Sequence, residues 1–232
     1  MRFDEHGRVL LSPRHVHDGL ADCEWLINRW LLPGTPHIFD TYDSYHRFLN
    51  SIADALYIPP LNVCVRGSGK IGFSIAPREE KVWMEVAPDA DVDVGIVDVD
   101  YFNVIHREIE RWLRSAPADE GRDVSKKIRK TRGFEYYRYF DLPEAIQVVA
   151  QHNESFKRAG EAIECVQGRV VTAFIYRDWW SVIRRYRFDL EKLNQGLMRG
   201  VNPLPAGGDR PRPYQPPPPD FDDEGADGRY EA

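Results

Sequence analysis

Residues 63–75 read VCVRGSGKIGFSI, an apolar run that breaks into Gly-Ser-Gly-Lys. Leu61 to Arg66 has the length and apolar content of a short strand. Glycine, serine and lysine in succession mark a place where a phosphate is held. Small residues let backbone amides approach an anion, and a lysine can neutralise it. What holds that phosphate is decided by a second stretch, DADVDVGIV, residues 89–97.

A nucleotide-binding P-loop needs Gly-x-x-x-x-Gly-Lys followed by Ser or Thr. Counted back from Gly69, the first glycine position holds Cys64, and the residue after Lys70 is Ile71. Two of the four fixed positions fail, so the loop has neither its wrap nor its magnesium-binding hydroxyl. The pattern around Asp91 and Asp93 offers different chemistry. Val92 to Asp98 alternates as a strand, and residues two apart on a strand share a face. Asp91 and Asp93 therefore lie on one side, with Val92, Val94 and Ile96 on the core side. Two neighbouring carboxylates repel and cost desolvation, so such a pair calls for a cation. Hard oxygen ligands select Mg²⁺ or Mn²⁺.

Together the two stretches resemble the polymerase-β-type nucleotidyltransferase superfamily. The signature there is an apolar strand, Gly-Ser, a spacer, and then Asp-apolar-Asp-apolar. Here VCVRGS (Val63 to Ser68) and DVDVGIV (Asp91 to Val97) supply it, and the wider context is similar to small bacterial nucleotidyltransferase-like proteins. The resemblance spans about residues 40–115. It implies that Gly67, Ser68 and Lys70 hold nucleotide phosphates and that Asp91 and Asp93 hold the metal. The 23-position spacer from Ser68 to Asp91 is about twice the usual length, so IGFSIAPREEKVWMEV reads as an inserted hairpin or loop. The resemblance also implies a third carboxylate on a later strand. The strand expected at VVTAFIY, residues 170–176, contains no acid. Asp178, just past its end, and Asp141 are the candidates, and Asp178 also reads as the N-cap of the last helix.

Composition sets the frame. The chain has 232 residues, 42% hydrophobic and 29% charged, and a net charge of −6, which excludes a generic nucleic-acid binder. The three cysteines, Cys23, Cys64 and Cys165, fit no metal knuckle, so a reduced cytoplasmic protein is expected. No apolar run nears the ~20 residues of a membrane span. Eight of the 17 prolines fall from Asn202 onward, with seven acids against three arginines. Residues 1–201 therefore read as one nucleotidyltransferase-like domain with an N-terminal elaboration, and 202–232 as a disordered Pro-rich acidic tail.

Helical spacing is legible at Tyr42, Tyr45, Leu49, Ile52 and Leu56. Asp100 is placed to cap a helix through Phe102, Ile105, Ile109 and Leu113. Pro143 sits at a helix start, and a last helix runs from about Asp178 to Arg199. Helices alternate with strands, so the fold class is α/β (α+β), a small mixed sheet flanked by helices. The basic run at Lys126–Arg132 could meet an RNA acceptor or a triphosphate, although charge runs are commonly solvated helix faces. Trp179 and Trp180 read as core packing. His15, His17 and Cys23 lack a fourth ligand and read as surface residues.

The first functional expectation is a metal-dependent nucleotidyltransferase that moves a nucleoside monophosphate from an NTP to a protein, RNA or small-molecule acceptor, by analogy in a bacterial defence or toxin–antitoxin setting. The second is a catalytically weak nucleotidyltransferase-fold module that senses nucleotide or binds a protein partner. The residue facing Asp91 and Asp93 separates them. An acid there favours the enzyme, and Thr172 favours the module.

Overall fold

The computed structural model describes residues 4–5, 7–8, 10–76, 81–143 and 146–215; the side chains at 130, 132 and 147–153 lie outside that description. Helix α1 (Pro13–Gly19) starts at Ser12, whose hydroxyl accepts from the His15 amide. Helix α2 (Cys23–Leu26) runs into a π-helical turn at Ile27–Leu31. Helix α3 (Tyr42–Leu56) is the one read from periodicity, and Thr41 and Ser44 close its first turn as a capping box. Strand β1 (Val63–Val65) leads directly into the five-residue helix α4 (Gly67–Ile71). Then follow strand β2 (Val92–Val97), helix α5 (Val99–Ser115), helix α6 (Ala118–Arg132) and strand β3 (Tyr136–Arg138). Helix α7 (Gln147–Glu161), strand β4 (Val171–Tyr176) and helix α8 (Trp179–Met198) complete the series.

The strands form one mixed sheet in the order β1-β2-β4-β3. β1 runs antiparallel to β2, with Cys64 opposite Gly95. β2 runs parallel to β4, with Asp93 opposite Thr172. β3 runs antiparallel to β4, with Tyr136 opposite Tyr176. The mixed α/β class expected from the alternating periods is the class observed.

The period of two gives the sheet two unlike faces. Val92, Val94 and Ile96 of β2 join Ala173 and Ile175 of β4 on one face, where Ile52, Ile105 and Phe156 bring α3, α5 and α7 down onto it. Each such valine, isoleucine or phenylalanine side chain, fully removed from water, contributes about 1.5–3 kcal/mol. The opposite face carries Asp93 and Gly95 from β2, Thr172, Phe174 and Tyr176 from β4, and Cys64 from β1. A second apolar cluster forms there, from α1, α2, Phe73, Trp83 and the Leu190 and Leu193 side of α8. It covers only part of that face, and the uncovered part holds the site.

Several expectations shift. The cap of α5 is Asp98, whose carboxylate accepts from the Tyr101 amide, because the strand ends one residue earlier than the alternation suggests. Pro143 stands in a turn closed by Ile146 N–H to its carbonyl, and α7 starts at Gln147. Trp179 and Trp180, in the first turn of α8, are 38% and 53% exposed and do not pack in the core. The inserted segment is a ribbon, with Phe73 bridged to Glu85, and its residues 77–80 lie outside the description.

The last stretch departs most from its expectation. Residues 202–215 form a strap on the body. Arg212 donates its amide to Trp83 O at 2.7 Å and accepts from Glu85 N at 2.8 Å, adding a rung to the ribbon. Asn202 is buried, and its carbonyl accepts from Trp83 Nε1 at 3.3 Å. Gly208 O accepts from the Arg14 amide at 2.9 Å. The expected disorder of residues 216–232 lies outside the described residues.

Candidate functional site

Gly67 and Asp93 meet at the centre of the polar sheet face. The Arg66 amide donates to Asp93 O at 2.8 Å, which fixes the end of β1 against β2. The chain then turns sharply into α4, with Gly67 at φ +63°. A Cβ on Gly67 would lie 2.5 Å from Asp93 Oδ2, so only glycine lets the turn approach the carboxylate. The other carboxylate oxygen, Oδ1, accepts from Thr172 Oγ1 at 2.9 Å. Burial pushes the Asp93 carboxyl above its ordinary range, against the opposing pulls of the Thr172 hydrogen bond and the Arg66 guanidinium.

Beside this pair lies a cavity of about 770 Å³. Its floor is Arg66, Gly67, Ser68 and Asp93. One wall is α8, through Arg185, Tyr186, Asp189 and Lys192. The other is α6, through Asp123, Lys126 and Lys127, followed by Phe134, Tyr136, Arg138 and Asp141. Ser74 and Lys81 of the ribbon form the rim.

Arg66 is only 6% exposed. Its guanidinium carbon sits 4.7 Å from the Tyr186 ring centre, 4.9 Å from Tyr176 and 5.1 Å from Phe174. It also hydrogen-bonds the Tyr176 hydroxyl, while its Nε has no partner. Gly95 makes room for this arrangement, since a Cβ there would lie 3.0 Å from Arg66 Cδ and 2.8 Å from Cys64 Sγ. A permanently charged side chain is thus held among aromatic faces under the cavity, with no carboxylate in direct ion pair with it among the described residues and with Asp189 and Asp93 acting on it from farther off.

The sequence-derived residues distribute unevenly. Gly67, Ser68 and Asp93 come together on the cavity floor. Asp91 precedes the strand, is exposed, and does not line the cavity; burial and the nearby Asp89 carboxylate raise its carboxyl. Lys70 points away. Its Nζ donates to Pro33 O at 2.7 Å and Gly34 O at 2.6 Å, and burial pushes it down to about 8. Its ammonium is thus committed to the carbonyls of the 33–34 bend and does not line the cavity. Asp178 is the cap of α8, accepting from both the amide and the hydroxyl of Ser181 at 2.7 Å. Burial works to raise its carboxyl, but those bonds hold it below the usual range. Asp141, the other candidate, does line the cavity, 3.6 Å from Arg138 Nε. Of the basic run, Lys126 and Lys127 line the cavity and Arg129 is exposed, while the side chains of Lys130 and Arg132 lie outside the description. Among the described residues, no group of three or more His, Cys, Asp or Glu is arranged to hold a metal ion.

Sequence reasoning did not single out Arg66 or the α8 wall. A signal existed. Arg185, Phe188, Asp189 and Lys192 recur at i, i+3, i+4 and i+7, one stripe along the last helix. Compared with protein-family models, curated proteins and solved structures, the chain matches none. Among the described residues, no helix is long and apolar enough to cross a membrane.

Proposed function

We propose that this chain is a nucleotide-binding module on a nucleotidyltransferase-like sheet, and that it binds a nucleoside triphosphate in the cavity without efficiently transferring it. The observation that carries this reading is the residue opposite Asp93. The resemblance implies an acid on the neighbouring strand, and the register puts Thr172 there, hydrogen-bonded to Asp93. The anionic end of the ligand sits over Gly67 and Ser68, with the cationic walls around it. The base sits against the aromatic side, where Phe134 and Phe188 pack with ring centres 5.0 Å apart.

A second reading, transfer to an acceptor, is favoured by one observation, that Asp141 lines the same cavity as Asp93. Incubation of the chain with each α-labelled NTP, Mg²⁺ or Mn²⁺ and cell lysate separates them. The module retains nucleotide on itself and leaves protein, RNA and small-molecule fractions unlabelled. Covalent label in any fraction, lost in Asp141→Asn, would establish transfer.

A further inference from the structure

The cavity's charge balance bears on how a nucleotide would be held. Two of its carboxylates are already paired within the walls: Asp189 with Arg185 at 2.7 Å and Asp141 with Arg138 at 3.6 Å. Arg66, Lys81, Lys126, Lys127 and Lys192 then face the two remaining lining carboxylates, Asp93 and Asp123, with Asp189 also acting on Arg66. Among the described residues those four lysines form no ion pair, and Arg66 is buried with an unpartnered Nε. The chain as a whole carries −6, so this positive excess is a local concentration against the overall charge.

The donor set does not fit a divalent cation in the way the resemblance implies. Mg²⁺ asks for near-octahedral oxygen ligation, supplied in such sites by clustered carboxylates and phosphates. Here Asp93 gives one oxygen to Thr172 and holds the other against Gly67. Asp91 stands outside the cavity, and Thr172 fills the place of a third acid. The fixed guanidinium of Arg66, close enough to pull on the Asp93 carboxyl, repels a dication at the same spot. These groups solve the electrostatic problem of a triphosphate by another route, with side-chain cations doing what a bound metal would do.

We infer that the nucleotide binds as its metal-free anion, its triphosphate neutralised by Arg66, Lys81, Lys126, Lys127 and Lys192. This rests on the nucleotide reading above and goes beyond it by assigning the charge state of the ligand. Mg²⁺ then competes with the protein for the phosphates instead of bridging them.

The test is calorimetric titration of the full chain with ATP, GTP, CTP and UTP, once in excess EDTA and once in excess Mg²⁺. At least one nucleotide should bind in EDTA as tightly as in Mg²⁺ or more so. Lys126→Gln with Lys127→Gln, both on an exposed helix face, should weaken binding in EDTA tenfold or more and leave the thermal midpoint unchanged. Asp93→Asn should tighten it several-fold, because a negative charge leaves the floor while Thr172 keeps an acceptor. Binding seen only with Mg²⁺ or Mn²⁺, and lost in Asp93→Asn, would overturn the inference and leave the nucleotide reading standing. No heat with any nucleotide in either condition would overturn both.

Discussion

Gly67→Ala tests the contact on which the site is built, and its cost divides into two parts. The backbone part comes from φ +63°, a left-handed conformation that costs an L-residue about 1–2 kcal/mol. The steric part comes from Asp93, whose Oδ2 would lie 2.5 Å from the new methyl. Asp93 is also tied to Thr172, so relief means losing that hydrogen bond or moving the strand, at about 1–3 kcal/mol. The sum is about 2–5 kcal/mol, read in urea denaturation followed by tryptophan fluorescence. In an Asp93→Ala background the nearest remaining atom is the residue 93 Cβ, at 3.6 Å, an ordinary contact. There the same substitution should cost only the backbone part, which leaves a coupling of about 1–3 kcal/mol in the double-mutant cycle. Equal costs in the two backgrounds would show that Gly67 and Asp93 do not touch, and the cavity floor described above would be wrong.

Lys70 should give a pH signature: its folded form releases a proton at about 8 while the unfolded chain keeps it to about 10.5, so stability rises with pH through that interval. The wild-type minus Lys70→Met difference isolates the slope, at most about 1.4 kcal/mol per pH unit, and a flat difference between pH 8 and 9 would refute the burial argument. Asp93 acts in the opposite direction. Its raised carboxyl means that the folded state binds the extra proton, so its contribution to stability falls as pH rises above the unfolded value of 3.8, and Asp93→Asn should remove that fall and equal or exceed the wild type at pH 7. Truncation after Gln215 should leave the thermal midpoint unchanged. Truncation after Val201 should lower it by several degrees, because Trp83, Val82 and Glu85 lose partners worth about 0.5–1.5 kcal/mol each. Equal midpoints for the two truncations would show that the strap is not held.

Much of the fold was legible because its elements obey local rules. The 3-4 spacing of Tyr42, Tyr45, Leu49, Ile52 and Leu56 located α3, and the alternation through Val92, Val94 and Ile96 located β2 and its core face. Strand β3 and helix α6 were not found. Three residues are too few to show a period. Residues 118–132 carry so many charges that the sequence reads as a run of charge, and the helix presents its lysines to a cavity. The strap was missed for a related reason. Proline-rich, weakly apolar chain lacks the means to fold alone, but the ribbon edge at Trp83 and Glu85 offers it backbone partners.

By itself the sequence determined the mixed α/β class, the Gly-Ser turn after β1 and the carboxylate at Asp93, since each depends on residues adjacent along the chain. Which neighbours Asp93 meets was settled only by tertiary structure. Thr172 is 79 positions away and arrives through the parallel register of β4. Arg66 looked like the end of a strand until Gly95 and three aromatic rings from β4 and α8 closed around it. Lys70, three residues beyond Gly67, was drawn to the carbonyls of the distant 33–34 bend, while Lys126 and Lys127 were brought in from more than fifty residues off. Spacing along a chain specifies direction only within one regular element. The charge around a site is the sum over elements that packing brings together, and no local pattern carries that sum.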